Sequence, residues 1–268
     1  MKKKLFRWIK VFALLYAVIG IAWYYGQERL IFHPEPVDAG TVYHFDQPFR
    51  EVNLNYNAAT NLNLVEFRPA DSPARGVVLY FHGNRQNITR YAAFAKDFTV
   101  RGYEVWMLDY PGYGKSTGSH AEKDLYAYAL IFYKLARSRY TPNQIILYGK
   151  SLGTGIAAQL AAVRDCRRLI LETPYYSMTS LFRRYLPVYP VSTMLHYHFP
   201  TNEYLPAVAA PITIFQGTSD GIVPYGNAER LKPLLKAGDE FIAVPGGSHN
   251  DLHDFSLFRQ KLDSVLGQ

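Results

Sequence analysis

Residues 144–158 read QIILYGKSLGTGIAA. Ile145–Tyr148 is apolar and strand-like, Gly149–Gly153 fits G-x-S-x-G, and the residues from Thr154 to Ala158 open a helix at once. A strand, a sharp turn and a helix in so few residues push a serine hydroxyl out over a sheet edge and aim a helix N-terminus at it. A side chain two positions before or after the serine would collide with neighbouring backbone, which is why both places hold glycine. Ser151 is therefore a candidate nucleophile.

The pattern occurs twice, because residues 114–118 read GKSTG. With 19 glycines in 268 residues, a chance match is expected about a tenth of a time per chain, so each match needs its own explanation. Ser116 follows DYPGYGK, where Pro111, Gly112 and Gly114 deny it a preceding strand. Ser119-His-Ala-Glu122 then reads as a capping box that starts the next helix only later. Ser116 is a loop residue with a structural role. Neither GKS belongs to a phosphate loop, since the glycine required five positions earlier is replaced by Asp109 and Gln144. Nucleotide hydrolysis is excluded.

Outward from Ser151, short runs rich in Val, Ile, Leu and aromatic residues recur at 76–83, 103–110, 144–151, 167–174, 211–218 and 240–247, and each ends in polar, Gly or Pro residues. Helical patterns occupy 88–101, 119–138, 152–163, 226–236 and 251–266. Apolar runs alternating with helices predict an α/β domain, a mostly parallel sheet with helices on both faces and the ligand site at the carboxyl ends of the strands. Ahead of them, 52–56 and 62–69 alternate in polarity around NAATN, as an antiparallel hairpin does. The stretch at about 174–206 breaks the rhythm. It carries five prolines and eight Tyr or Phe residues, and its length suits a lid or binding segment. Whether it merely covers the strand ends or offers an acyl-binding surface stays open on sequence.

A serine hydroxyl needs a base, and the base needs an orienting group. The last strand runs into PGGSHND, leaving His249 in a Gly-rich turn, and the strand before it runs into QGTSDGIVP, leaving Asp220 in a loop. The chain order is Ser151, Asp220, His249. Glu172 at a strand end and Asp251 beside His249 are rivals for the acid. His249 and His253 have the i, i+4 spacing of a zinc helix, but Asn250 stands where the catalytic glutamate belongs and no third ligand is evident. His196 and His198 lack a third ligand too. No metal site and no cofactor-binding motif is read.

FHGN (81–84), DYPGYGKSTG (109–118), GKSLGTG (149–155), GTSDGIVP (217–224) and GGSHNDL (246–252), with QERLIFHPEP (27–36) ahead of them, resemble the membrane-anchored branch of the α/β-hydrolase superfamily, the serine aminopeptidase-like or lysophospholipase-like hydrolases. The match runs in order over positions 27–266 and is more specific for fold and triad than for substrate. It implies Asp220 rather than Glu172 as the acid, an oxyanion hole formed by the backbone N–H groups of Asn84 and Leu152, and a structural role for His82. The departure is Gly221, where the family commonly has an acidic residue.

The formal net charge is +7, but five of the 29 basic residues lie in the first ten positions, leaving 24 against 22 acidic ones. The body is near neutral and lacks the basic stripe of a nucleic-acid reader. The single cysteine, Cys166, excludes an intramolecular disulfide and reads as a small, partly buried side chain. Val11–Gln27 is seventeen residues without a charge, at the short end of a membrane-spanning helix. Trp8 precedes it, and Trp23, Tyr24 and Tyr25 close it like an interfacial aromatic belt.

Residues 1–27 thus read as a basic segment and membrane anchor, and residues 28–268 as an α/β-hydrolase domain reached through the Pro-rich linker HPEP (33–36). The positive-inside bias places the N-terminus in the cytoplasm and the domain on the other side. The rival reading is a secreted protein cleaved at Gly20-Ile21-Ala22. The functional expectation is a serine hydrolase of carboxylic esters or thioesters with a small-molecule or lipid-like substrate. Acyl transfer by the same triad and a catalytically silent binding module are the alternatives. The anchor reading predicts that N-terminal sequencing of the mature protein finds residues upstream of Trp23; a mature chain beginning at Trp23 contradicts it.

Overall fold

The computed structural model describes residues 1–70 and 73–267. Eight strands form the main sheet: β1 (Phe49–Asn57), β2 (Thr60–Phe67), β3 (Gly76–Phe81), β4 (Tyr103–Leu108), β5 (Ile145–Lys150), β6 (Arg168–Glu172), β7 (Ile212–Gly217) and β8 (Glu240–Val244). Their spatial order is β8-β7-β6-β5-β3-β4-β2-β1. Every pairing from β8 to β4 is parallel, and β4–β2 and β2–β1 are antiparallel. The predicted hairpin is therefore one edge of the sheet.

The apolar runs read as strands buried on both faces, and alternate residues do serve opposite layers. Val77, Leu79 and Phe81 of β3 face one core, with Ile145 and Leu147 of β5 beside them. Val78, Tyr80, Ile146 and Tyr148 face the other. The first core is closed by α2 (Glu122–Arg137) through Leu125 and Phe132, and by α3 (Gly153–Val163) through Ile156 and Leu160. The second is closed by the helical segment from Ile88 to Thr99 and by the C-terminal helix Ser256–Gly267, through Phe98, Phe258 and Leu262.

The strand order locates the site. From β3 the chain crosses to β4 on one side, and from β5 to β6 on the other, although β3 and β5 are neighbours. Their outgoing loops diverge and leave a crevice at the carboxyl ends, the topological switch point where such sheets bind ligands. Asn84 follows β3 and Ser151 follows β5.

Three local expectations differ from the structure. The Ser119–Glu122 capping box does not form: α2 begins at Glu122 with Ala121 as its cap, and the Ser119 hydroxyl accepts only from the Ala121 N–H. The Glu122 carboxylate instead accepts from the Tyr126 hydroxyl and from the backbone N–H groups of His198 and Phe199 in the insertion. Residues 33–36 are not a loose linker. His33 and Pro34 pair with Arg85 and Gln86, and Pro36 bridges Gly114. Finally, the N-terminal helix α1 runs from Lys2 to Ile31, past Gln27, where the uncharged stretch ends. It is long and apolar enough to cross a membrane.

Candidate active site

Ser151 stands on the turn between β5 and α3 with φ = 50°, a left-handed conformation that strains a residue with a side chain. Its neighbours over-determine it. The Ser151 N–H donates to the Glu172 carbonyl (2.9 Å), and its carbonyl accepts from the Thr154 N–H (2.9 Å) and hydroxyl (2.6 Å). The glycine reading is borne out sterically. A Cβ at Gly149 would lie 2.6 Å from the Gly153 carbonyl oxygen, and one at Gly153 would lie 2.1 Å from that of Phe81. Strand and helix approach so closely that only hydrogen fits.

The three residues read as a triad meet. Ser151 Oγ is 2.8 Å from His249 Nε2, and His249 Nδ1 is 2.7 Å from Asp220 Oδ2. Asp220 is fixed in turn: its Oδ1 accepts the N–H groups of Ile222 and Val223, each at 2.8 Å, and its Oδ2 accepts from the Gln216 amide at 3.2 Å. Both His249 and Asp220 are buried. Asp251 instead caps the turn, accepting from the Ser248 N–H at 2.7 Å.

Ser151 separates two spaces of opposite character. On one side lies a cavity of about 410 Å³ whose walls are mostly apolar, including Leu152, Met178, Phe182 and Val223, with Asn84 at its rim. On the other, a small polar recess is bounded by Arg85, Arg90, His249 and Asn250. The insertion therefore lines the first cavity: Tyr175, Met178, Leu181, Phe182, Tyr185 and Leu186 all come from it, four of them on its helix α4 (Met178–Tyr185). Asn84 is held from two directions. Its carbonyl accepts from the His33 N–H (2.9 Å) and the Tyr113 hydroxyl (2.8 Å), and its amide donates to the Ile31 carbonyl (2.8 Å).

Comparison with known proteins agrees with this architecture. Residues 72–203 match the serine aminopeptidase S33 family of hydrolases. An esterase of Pyrococcus furiosus superposes with a TM-score of 0.67 at 15% identity, covering 88% of this chain and 97% of its own. The ferulic acid-bound Est1E of Butyrivibrio proteoclasticus superposes at 0.65 and 17%, covering 81% and 96%. The fold is that of the α/β-hydrolases. Among curated sequences, an uncharacterized protein of Mycobacterium tuberculosis is 29% identical over 84% of this chain and 81% of its own length. Alpha/beta hydrolase domain-containing protein 17C of Xenopus tropicalis is 29% identical over 72% of this chain and 62% of its own.

Within this fold the remaining candidates have structural duties. Ser116 is buried, and its hydroxyl accepts from the Asn63 N–H at 2.8 Å. His82 lies between the rings of Tyr91 and Tyr110, with Nε2 3.3 Å from Asp109 Oδ1. Burial raises the Asp109 carboxyl, an effect that the His82 imidazole only partly offsets. Cys166 is buried, and that burial pushes its thiol up to about 12.

The rival acid Glu172 belongs to a second network that the sequence did not announce. Beneath the Ser151 turn its carboxylate meets the Lys150 ammonium and the Tyr148 hydroxyl, and it lies 3.1 Å from His253 Nε2, whose Nδ1 is 2.6 Å from Asp97. Burial opposes the charge on Glu172, but Lys150 and His253 more than offset it and hold the carboxyl well below its usual range. Burial likewise opposes the charge on His253, and Glu172 and Asp97 outweigh it, lifting the imidazole from 6.5 to about 9. A lysine immediately before Ser151, in an otherwise apolar strand, was the one available signal.

Two predictions follow from this geometry. Gly153→Ala removes more than about 4 kcal/mol of stability or prevents folding, whereas Gly226→Ala, where a Cβ meets nothing within 4 Å, leaves the thermal midpoint nearly unchanged. Because the His253 imidazole binds its proton more tightly folded than unfolded, its contribution is complete below pH 6.5 and is lost as pH rises through about 9. That shift is worth on the order of 3 kcal/mol. Thermal unfolding should therefore show His253→Gln most destabilised relative to the wild type at or below pH 6.5, with the gap narrowing as pH rises through about 9.

Proposed function

We propose that this chain is a membrane-associated serine hydrolase of carboxylic esters or thioesters, and the unbroken hydrogen-bonded series Ser151–His249–Asp220 carries the reading. In the reaction, the Ser151 hydroxyl attacks the acyl carbonyl while His249 Nε2 takes its proton, and Asp220 holds the imidazole and stabilises the imidazolium that forms. The oxyanion accepts hydrogen bonds from the backbone N–H groups of Asn84 and Leu152; each such donor is worth about 3 kcal/mol of transition-state stabilisation. Collapse of the tetrahedral intermediate breaks the bond to the leaving alcohol or thiol, which departs with the proton from His249. Water then repeats the sequence on the acyl-enzyme, releasing the carboxylic acid and restoring the Ser151 hydroxyl.

The two spaces beside Ser151 suit an amphiphilic ester. The apolar cavity, within the ordinary size range of small-molecule sites, takes the acyl group, and the recess with Arg85 and Arg90 takes a polar leaving group. The basic N-terminus stays cytoplasmic and the hydrolase domain lies across the membrane.

A fluorophosphonate probe should label the wild type and Ser116→Ala but not Ser151→Ala. Asp220→Asn should lower kcat by about 10⁴-fold by leaving the imidazole in the wrong tautomer. Labelling that persists in Ser151→Ala, or that disappears only in Ser116→Ala, removes the assignment. Product analysis with competing alcohols separates hydrolysis from acyl transfer.

A further inference from the structure

The last turns of α1 do not behave as an anchor that merely ends near a domain. Gly20, Trp23, Gln27 and Ile31 are buried, and their spacing of three, four and four residues makes one stripe along the helix. The stripe lies on the insertion. The Gln27 amide donates to the Met194 carbonyl (3.1 Å) and accepts from the His196 N–H (2.7 Å), and the Tyr197 hydroxyl donates to Glu28 (2.8 Å). Tyr16 stacks on Tyr189 with ring centres 4.5 Å apart, and a Cβ at Gly20 would meet that same tyrosine at 2.9 Å.

Trp23 departs from the interfacial-belt reading. A belt tryptophan keeps its N–H in water. Here the side chain is 5% exposed, packs 6.3 Å from the Phe182 ring, and its N–H has no partner among the described residues. Trp23, Leu30 and Ile31 line the 410 Å³ cavity together with Phe182 and Ser151. Upstream the helix is bare: Phe12 and Leu14 are each 65% exposed and Ile19 51%, as suits contact with lipid.

We propose that Trp23, Leu30 and Ile31 are substrate-binding residues, the wall of the acyl site contributed by the membrane helix, and that they set which acyl chains reach Ser151. This rests on the hydrolase reading above and names its substrate class: long acyl chains of lipid-like esters or thioesters, drawn from the bilayer along the helix that lines the cavity. The cavity floor at Ser151 and the wall at Trp23 belong to segments more than a hundred residues apart. The helix end is tied to the loop after β3, which also lines the cavity, where the Asn84 amide holds the Ile31 carbonyl.

The test compares acyl esters from butanoyl to dodecanoyl, using the full-length chain in detergent micelles. Trp23→Ala enlarges the cavity and should raise the dodecanoyl-to-butanoyl ratio of kcat/KM about tenfold. Leu30→Trp, at a position 55% exposed and so tolerant of bulk, should fill it and lower the ratio by a similar factor. Trp8→Ala, in the exposed part of the helix, should leave the ratio unchanged. Opposite shifts in the first two variants cannot come from partial unfolding, which lowers both rates together. If wild-type turnover depends on Ser151 but neither variant moves the ratio, the wall assignment is wrong and the hydrolase reading stands. If no ester is turned over in a Ser151-dependent way, both are wrong.

Discussion

The structure depends on one steric constraint, the closeness of the end of β5 to the start of α3. With only 2.6 Å between an added carbon at Gly149 and the Gly153 carbonyl oxygen, and 2.1 Å between one at Gly153 and the Phe81 carbonyl oxygen of neighbouring β3, the helix leaves the strand without a loop. Ser151 must then take a positive φ to make the turn. Strain of this kind persists only where surrounding structure over-determines it. Here the Glu172 carbonyl, the Thr154 side chain and the ion cluster under Lys150 all grip the turn. The hydroxyl thus stands clear of the sheet within reach of an imidazole that arrives 98 residues later.

The cluster under the turn explains why a buried lysine and a buried glutamate are tolerated there. Neither charge could be left alone in that layer, since an unpaired buried ion costs several kcal/mol. Glu172 is shared among Lys150, His253 and Tyr148, so each of its oxygens has a donor. This also separates the two acids that the sequence set against each other. Glu172 spends its carboxylate oxygens on the Lys150, Tyr148 and His253 side chains beneath Ser151, whereas Asp220 presents one oxygen to His249 and anchors the other on two backbone N–H groups.

Much of this was legible because it was local. G-x-S-x-G with a strand before and a helix after fixes the turn, and Gly-rich strand ends mark Asp220 and His249. The alternation of apolar runs and helical patterns gives the sheet, down to the hairpin at its edge. What escaped depends on long-range contact. Glu122 fitted a capping box by spacing, yet the insertion's unpaired N–H groups at 198 and 199 claimed its carboxylate. HPEP reads as a linker by composition, but its backbone finds partners at 85–86 and 114. Trp23 looked interfacial because its partner Phe182 lies 159 positions away.

The same separation hides how tightly the helix and the site are joined. Charge at Glu28 and Arg29 ends the uncharged run and suggests that α1 leaves the membrane there, but Tyr197 and His120 hold the Glu28 carboxylate and draw the helix end onto the domain. The Asn84 loop then receives the chain as it emerges, through the Ile31 carbonyl and the His33 N–H. In the proposed reaction the Asn84 backbone bears the developing oxyanion, so any displacement of α1 acts on the loop that must hold it. An arbitrary apolar helix cannot replace α1, because Trp23, Gln27 and Ile31 at its end are buried against the domain and Gln27 and Ile31 hydrogen-bond the insertion and the Asn84 loop.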